Sequence, residues 1–471
     1  MMVLICFLTV ISLSILSSQA HGQNLDSLPQ DTAMPYQDEA FACFDAATAQ
    51  RYVRDFNVDV QSFGGLELCN SQVETKKLLN DFYLIEKGMF KASGQNGEVF
   101  IKGFVPAPKY YSWMKSQTYG VERGNDIPYA TAYNTGGYFT MQDGWAKLST
   151  LGRVGTVIHE ARHTAGYRHI VCRQGPYQDS TVSGCDRDYM YGGSHAVEME
   201  YYARVSVLGE NFHPVYKKMA RLMAIGRSNI FFNTPVIQKQ ESILLLNADR
   251  TKSYMLHFEN GAASWVEREV PQIPGELKAT SFGAVIYDGL KAFAIDPYEN
   301  SGFTDLVVDT YSYFKLLLEK DLNSKDFAEY DIGSKRFVSK ITRDHKIANY
   351  VFPQGNWGVE LQIPFTVKAT TASFPGSDAV ATPGLFLIAE DNTIAVFQPA
   401  TSRLQILQNQ KWNPENKRHV RFGSATLELK NDGTLVSTAA MEFPESKFAD
   451  IVKIPLYNGF NVIKNAPETI H

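Results

Sequence analysis

The sequence feature that most constrains the fold of this 471-residue chain is a change of pattern near residue 229. Before that point, segments with apolar residues at helical spacing alternate with short β-favouring runs. After it, short β-type runs are separated by turn dipeptides, and helical spacing is confined to residues 309–318. The pattern predicts an α+β domain followed by an all-β domain. The helical segments are 46–56, 73–86 and 211–224, and the β-favouring ones are 98–104 and 131–141.

The turn dipeptides of the second half recur at steps of about forty to fifty residues, a spacing typical of propeller blades. One clear unit, residues 385–397, contains a strand, a tight turn and a second strand. Five turns predict a five-bladed β-propeller, and a β-sandwich or a stack of hairpins is the alternative because the steps are uneven. The turns are Ala248-Asp249, Asp288-Gly289, Asp344-His345, Asp391-Asn392 and Asp432-Gly433.

The start of the chain is almost uninterruptedly apolar from Val3 to Leu16, and small residues follow up to Gly22. This order is typical of a secretory signal peptide. An uncleaved membrane anchor is the alternative, although the run is shorter than the ~20 residues that span a bilayer. We therefore expect a signal peptide at 1–22, the α+β domain at 23–228 and the β-rich domain at 229–471, with no stable membrane span after cleavage.

The cysteines agree with export. Removal of the signal peptide leaves four cysteines, and an even number in an exported chain favours disulfides. Pairing Cys43 with Cys69 and Cys172 with Cys185 closes two short loops, while two other connectivities remain open. The lack of an Asn-x-Ser/Thr sequon favours a bacterial protein. A secreted or periplasmic location is therefore predicted.

The charge balance argues against nucleic acid as a partner. The chain has 45 basic and 50 acidic residues, a net charge of -5, and no block of Lys and Arg that could follow a phosphate backbone. Its hydrophobic share of 44% is that of an ordinary folded protein.

One short segment carries the residues best suited to chemistry. His159 and His163 stand four residues apart, so a helix places both imidazoles on one face, where they can bind one metal ion. Glu160 lies beside the first of them as a candidate base. Gly166 stands where a helix must end and the chain must turn, and His169 follows three residues later.

The same segment has the features of a helix. Ser149 or Thr150 can cap its start. Apolar residues at helical spacing form a stripe on the side away from the two histidines. These residues are Leu151, Val154, Ile158 and Ala161.

The run H-E-x-x-H-x-x-G-x-x-H resembles the motif of the metzincin metallopeptidases at every fixed position. The resemblance covers this segment alone. It implies a zincin-like catalytic domain over 23–228, in which Zn²⁺ is bound by three histidines and Glu160 is the general base for a zinc-activated water. The three ligands it implies are His159, His163 and His169.

Three further expectations accompany the resemblance. Metzincins have a methionine turn beneath the metal, for which Met190 is the candidate, with simple core or turn filling as the alternative. Zinc peptidases often pair extended substrate with an edge strand, which here would be the Gly-rich run 134–141. Tyr191 could polarise a substrate carbonyl, or could pack as an ordinary aromatic residue beside Cys185.

A competing third ligand lies in the predicted helix at 194–202. His195 and Glu198 share a face of that helix, and Glu198 would complete a two-histidine, one-glutamate site of the gluzincin kind. If His169 is the ligand instead, Glu198 can accept a hydrogen bond from a ligand ring N–H.

Together these features predict a secreted zinc-dependent metallopeptidase that hydrolyses peptide bonds of a protein or peptide substrate, with a β-rich domain that binds a surface or a protein ligand. The alternative is an exported binding or scaffold protein in which the β-rich domain is the functional part and the zinc site is structural or degenerate. Glu160 discriminates the two, because a structural site has no need of a carboxylate beside its first ligand. A third possibility keeps the zinc chemistry and replaces the peptide by an amide or ester of cell wall or of a small molecule.

Overall fold

The computed structural model describes most of the chain between residues 34 and 458. The predicted signal peptide, the helical pattern at 309–318 and the turn at 288–289 lie outside the described residues. The described ranges are 34–91, 101–174, 178, 183–228, 231–234, 238–259, 262–295, 303–306, 327–352, 356–371 and 384–458, without positions 36, 107, 108, 128, 129, 271, 273, 281, 282, 288–291, 333, 334, 343, 359 and 400.

Seven α-helices lie among the described residues, all of them before residue 229. The last begins at Pro214, which suits a first turn. It continues to Ser228, beyond the predicted limit at residue 224, because packing against the preceding helix outweighs the low helix propensity of Gly226. The helices are α1 (Ala46–Asp55), α2 (Glu74–Lys87), α3 (Tyr110–Gln117), α4 (Asp143–Ala146), α5 (Thr150–Thr164), α6 (Ser194–Leu208) and α7 (Pro214–Ser228).

A small mixed sheet lies beside these helices. It contains β1 (Gly120–Arg123), β2 (Ala132–Thr135) and β3 (Tyr138–Met141), and β3 lies between a parallel β1 and an antiparallel β2. Gly136 and Gly137 have φ of 61° and 99°, which reverses the chain between β2 and β3. The single edge strand expected at 134–141 is therefore wrong: the run is a hairpin, and β2 is its edge strand.

The strand predicted at 98–104 is also wrong over its described part. Residues 101–104 are irregular, and the backbone N–H groups of Lys102, Gly103 and Phe104 donate to Glu200 Oε2 at 2.7, 2.9 and 3.4 Å. A carboxylate that takes successive backbone donors leaves none of them for strand pairing.

The rest of the described chain contains strands and no α-helix, in five antiparallel sheets. An α+β part followed by an all-β part is the layout that the sequence predicted. The strands are β4 (Gln238–Asn247), β5 (Lys252–Glu259), β6 (Ala262–Glu269), β7 (Glu276–Thr280), β8 (Gly283–Tyr287), β9 (Ala292–Ile295), β10 (Phe303–Leu306), β11 (Phe327–Ile332), β12 (Lys335–Ile341), β13 (Lys346–Phe352), β14 (Asn356–Trp357), β15 (Leu361–Gln362), β16 (Val367–Thr371), β17 (Leu385–Ala389), β18 (Thr393–Gln398), β19 (Arg403–Lys411), β20 (Asn416–Phe422), β21 (Ala425–Lys430), β22 (Leu435–Ser437) and β23 (Phe448–Asn458).

The strands are distributed in chain order, with one exception. Sheet I contains β23, β4, β5 and β6, sheet II contains β7 to β10, sheet III β11 to β15, sheet IV β16 to β19 and sheet V β20 to β22. Four of the predicted turn dipeptides connect neighbouring strands of one sheet, and the two strands predicted within 385–397 are β17 and β18. The exception is β23, which pairs with β4 and so brings two distant segments into sheet I.

Strand burial shows that sheets are covered by other sheets. All five residues of β17 are buried, which requires cover on both faces, whereas buried and partly exposed residues alternate along β21. In β4, Ile243 and Leu245 join an apolar cluster with sheet V, while Leu244 and Leu246 on the opposite face join the cluster that includes sheet II. Sheet I thus contributes to the cores that it shares with sheets II and V.

Two disulfides, Cys43–Cys69 and Cys172–Cys185, are formed as predicted. Among the residues that the structure describes, no helix has the length and apolar character needed to cross a membrane.

Candidate metal centre

Helix α5 carries the first half of the motif. Its first turn is capped by Ser149, whose Oγ accepts from the Gly152 N–H at 3.2 Å, so one of the two predicted caps is used. The predicted apolar stripe is fully buried and fixes the rotation of the helix in the core. The stripe consists of Leu151, Val154, Ile158 and Ala161.

The chain turns back after α5 and returns the third histidine to the first two. Gly166 has φ of +90°, the left-handed conformation predicted for it. The turn places His169 Nε2 2.9 Å from His159 Nε2, and the ring centroids of His169 and His163 are 4.5 Å apart. One nitrogen from each of His159, His163 and His169 lies within 4.8 Å of the others.

His159 Nδ1, the ring nitrogen that faces away from His169, is in hydrogen-bond contact with a buried carboxylate. His159 Nδ1 lies 3.3 Å from Glu198 Oε2, and Glu198 is 1% exposed. The other oxygen of Glu198 accepts from Tyr202 Oη at 2.9 Å and from Arg227 at 2.9 Å. Burial by itself would raise the pKa of Glu198, but the guanidinium of Arg227 together with hydrogen bonds from His159 and His195 holds that pKa well below its usual value. An ionised Glu198 therefore accepts the Nδ1 proton of His159 and leaves the lone pair on Nε2.

The other two imidazoles are oriented in the same way. His163 Nδ1 donates to the carbonyl of Tyr167, and Ser194 Oγ lies 3.1 Å from the same nitrogen. His169 Nδ1 lies 3.3 Å from Asp186 Oδ1. With all three Nδ1 protons directed outward, each Nε2 has a free lone pair.

The surroundings also keep the first two imidazoles neutral. Burial, followed by the nearby histidines, lowers the pKa of His159 well below its usual value. Burial and the neighbouring His169 lower the pKa of His163 to about 4. Neutral imidazole is the form that binds metal ions.

Glu160 is the carboxylic acid of the motif, and one of its two oxygens lacks a hydrogen-bond partner among the described residues. The residue is 4% exposed, and among the described residues its Oε2 has no hydrogen-bond partner. Burial, followed by the charge of Glu198, raises the pKa of Glu160 to about 8. A structural residue this deeply buried would normally be paired, so this orphaned oxygen is typical of a functional group.

The arrangement of the three histidines fits a zinc ion. Two Nε2 atoms that both carry lone pairs repel each other at 2.9 Å unless a cation or a proton lies between them. Ligand nitrogens on one tetrahedral zinc lie about 3.3 Å apart, close to this separation. Glu198 is not grouped with both His159 and His163; it groups with His159 and His195, on the outer side of the first imidazole.

The expected position of Met190 beneath the histidines is wrong. Met190 is 65% exposed, because the short 3-10 helix Tyr189–Tyr191 directs Tyr189 into the core and the methionine outward. The space beside His169 is filled by His195, whose ring is stacked on it at 4.5 Å with an interplanar angle of 19°.

The edge strand β2 lies against the motif helix. Asn134 Nδ2 donates to the backbone carbonyl of Glu160 and, at 2.8 Å, to Thr164 Oγ1. Tyr191 packs with its ring 5.2 Å from that of Tyr167, and its role toward a substrate carbonyl stays a prediction.

Sequence reasoning offered Glu198 as an acceptor from a ligand ring N–H, and Glu198 does lie beside His159 Nδ1, but the other partners were missed. Asp186 directly follows the predicted disulfide cysteine Cys185, which was the one signal that could have placed it near His169. Ser194 and Arg227 gave no signal, because the packing of α6 and α7 alone brings Ser194 to His163 and Arg227 to Glu198.

Comparisons with known proteins add no family. No family model matches the sequence, and no curated protein matches it. Matches among solved structures include BBS1N in complex with ARL6DN, which is 9% identical, covers 46% of this chain and 80% of that chain, and has a TM-score of 0.24. They also include a triple arginine-to-alanine mutant of AofleA from Arthrobotrys oligospora, which is 14% identical, covers 42% of this chain and 71% of that chain, and has a TM-score of 0.23. Similarities at this level carry no argument about the fold or function of this chain.

Proposed function

We propose that the chain is an exported zinc-dependent hydrolase, and specifically a metallopeptidase. The observation that carries the proposal is the convergence of three imidazoles beside a buried, unpartnered carboxyl oxygen. A structural zinc site is usually closed by a fourth protein ligand, and it has no use for such a carboxyl group. The two disulfides agree with an oxidising compartment, as does the predicted signal peptide.

In the proposed mechanism, His159, His163 and His169 hold the zinc, which when bound polarises a carbonyl and makes water a nucleophile near neutral pH. Glu160, whose ionised form the charge of a bound cation would favour, then accepts the proton of the attacking water and returns it to the leaving group. Its position in the chain, directly after one ligand, keeps the carboxyl group beside the reacting atoms. Burial removes competing hydrogen bonds and leaves Oε2 available.

Substrate of extended conformation fits the position of β2. This edge strand has one neighbour in its sheet, and Asn134 fixes it to the helix that carries Glu160. A peptide pairing with β2 would run past the histidines, as in other β-augmentation complexes. This placement favours a peptide bond over an amide or ester of a small molecule.

The β-rich part is proposed to be a five-bladed propeller that binds a surface or a protein ligand. Five successive sheets and the pairing of β23 with β4 support this, because such pairing closes a ring of sheets. Apolar clusters join sheet V to sheet I and sheet III to sheet IV. Arg418 of sheet V contacts Glu276 of sheet II at 2.7 Å, Asp450 of sheet I at 3.1 Å and the Thr370 carbonyl of sheet IV at 3.4 Å.

The proposal is tested by measuring bound zinc and the hydrolysis of an unstructured protein such as casein. We expect one zinc per wild-type chain, and we expect Glu160→Gln to retain zinc while hydrolysis falls about 100-fold or more. Glu122→Gln, at an exposed glutamate of β1, is the matched control and should keep both properties.

Each other outcome selects a different function. Zinc binding without hydrolysis of any substrate would favour a binding or scaffold protein whose zinc site is structural. Hydrolysis of small amides or esters but not of protein would keep the hydrolase and remove the peptidase. Absence of zinc in protein purified with zinc present would overturn the metal site itself.

A further inference from the structure

The third histidine is held by a small ladder of contacts between residues 169–172 and residues 185–186. His169 Nδ1 lies 3.3 Å from Asp186 Oδ1, and the backbones of Ile170 and Cys185 exchange two hydrogen bonds of 2.8 and 3.1 Å. Cys172 is bonded to Cys185 by the disulfide. The metal-binding imidazole and the carboxylate that orients it therefore stand at the two ends of one disulfide-closed loop.

Asp186 is itself fixed from several sides. It is 1% exposed, and its second oxygen accepts from the Ala196 N–H at the start of α6 at 3.1 Å. Its backbone pairs with the segment after α7, donating to Phe231 at 2.9 Å and accepting from Asn233 at 3.0 Å. A Cβ on Gly193 would lie 2.5 Å from the Asp186 carboxylate, so only glycine allows this approach.

We propose that the Cys172–Cys185 disulfide sets the metal affinity of the three-histidine site by holding Asp186 against His169. The proposal rests on the proposed function, in which His169 is a zinc ligand. Asp186 is a positioning residue: it contacts the ligand and not the metal. His159 and His163 belong to one rigid helix, whereas His169 lies beyond the Gly166 turn and depends on the ladder for its position.

The proposal makes the site sensitive to redox conditions. A dithiol reduces the bond by supplying two electrons and two protons, which yields the thiols of Cys172 and Cys185 and oxidises the dithiol to a disulfide. The loop ends are then held by hydrogen bonds alone: the backbone bridge, the imidazole–carboxylate contact, and the bonds that Asn233 makes to residues 171 and 173 on one side and to Asp186 on the other. Loss of a residue that orients a metal ligand typically lowers metal affinity by about 10- to 100-fold.

The second disulfide provides a matched control. Cys43–Cys69 joins the segment before α1 to the one before α2, and neither of its cysteines touches the ladder. Replacing both members with serine removes one covalent link in either case, so a general loss of stability affects both variants and a loss of metal affinity distinguishes them.

The experiment measures zinc affinity by competition with a chromophoric chelator, and the visible absorption of the cobalt-substituted protein. We expect the variant Cys172→Ser with Cys185→Ser to bind zinc about 10- to 100-fold more weakly and to show an altered cobalt spectrum. The variant Cys43→Ser with Cys69→Ser should stay within about twofold of wild type.

Asp186→Asn leaves both disulfides intact, so it tests whether Asp186 determines zinc affinity even if the serine variant of Cys172 and Cys185 fails to fold. It should weaken zinc binding about 10-fold, and combined with the serine pair it should add little, because both changes act through one imidazole. Wild-type affinity in Asp186→Asn, or additive losses, would overturn the proposal. A wild type that binds no zinc would instead contradict the proposed function, so the two failures are distinguishable.

Discussion

At the scale of single residues, the site is defined by the hydrogen-bond acceptors that face the Nδ1 atoms of the three imidazoles. Glu198, the Tyr167 carbonyl and Asp186 each accept one Nδ1 proton, so the three Nε2 lone pairs face one another. Removing an acceptor leaves the ring in place but allows the other tautomer, in which the lone pair points away from the metal. Metal affinity should thus respond to these residues more than fold stability does.

Gly166 offers a test of how backbone conformation affects the site. Its φ of +90° strains any residue with a Cβ, and no atom lies within 4 Å of the position that a Cβ would take. Gly166→Ala should therefore cost about 1 kcal/mol of stability through the backbone alone, and should also weaken zinc binding by displacing His169.

The control for this change is Gly64→Ala, where φ is +88° and the surrounding space is equally open. Both variants should lose similar stability in denaturant titrations, and only the first should lose zinc affinity in chelator competition. Equal zinc affinity in the two variants would show that the turn does not determine the position of His169.

The residues of the motif could be predicted because their spacing is local. A helix determines how His159 and His163 relate, and a turn glycine determines where the chain goes next, so neither requires knowledge of the rest of the fold. Arg227 could not be predicted, because no local pattern states which basic side chain packing will bring to Glu198, and for Asp186 the adjacent Cys185 was the one signal. Met190 illustrates the same limit, since its spacing suited a turn beneath the metal but its side chain points to solvent.

At the scale of elements, α5 depends on its cap. Ser149 Oγ satisfies one of the free N–H groups of the first turn, and the residue is only 8% exposed. Ser149→Ala should lower the free energy of unfolding by about 1 kcal/mol, measured by denaturant titration. Ser149→Thr retains an acceptor and should recover most of the loss; an equal loss in both variants would mean that packing, and not the cap, is responsible.

Helices and turns were predicted better than strand limits, for a physical reason. Helical spacing extends over several turns, and the turn dipeptides at Asp344, Asp391 and Asp432 fix strand connections locally. A strand forms only if its backbone finds a partner, and the segment at 101–104 donates its N–H groups to Glu200 instead. Alternation of polarity alone does not distinguish these two outcomes.

At the scale of the whole molecule, charged side chains connect the sheets, as where the largely buried Arg418 of sheet V meets the partly exposed Glu276 of sheet II. Burial by itself would raise the pKa of Glu276, but the Lys278 ammonium and the Arg418 guanidinium outweigh it and hold that pKa at about 2, below its ordinary value of 4.5. Because the folded-state pKa is lowered, the ionised carboxylate contributes stability above pH 4.5, and this contribution is lost as the pH falls toward 2.

Glu276→Gln should therefore be destabilising near neutral pH and should flatten the decline of stability between pH 4.5 and pH 2. Thermal unfolding across this pH range checks the prediction. Glu390→Gln, at an exposed turn between β17 and β18, is the control and should leave the profile unchanged. An unaltered acid profile in Glu276→Gln would mean that other carboxylates govern acid unfolding.

The pairing of β23 with β4 has a consequence for the order in which the chain folds. Ile451 lies opposite Leu245, so this contact closes a loop of about two hundred residues, the kind of non-local contact that forms slowly. The helices of the α+β part pack on one another and on β2, so this part can form early. Until β23 arrives, β4 presents an unpaired apolar edge, and that interval is when the chain is most exposed to aggregation.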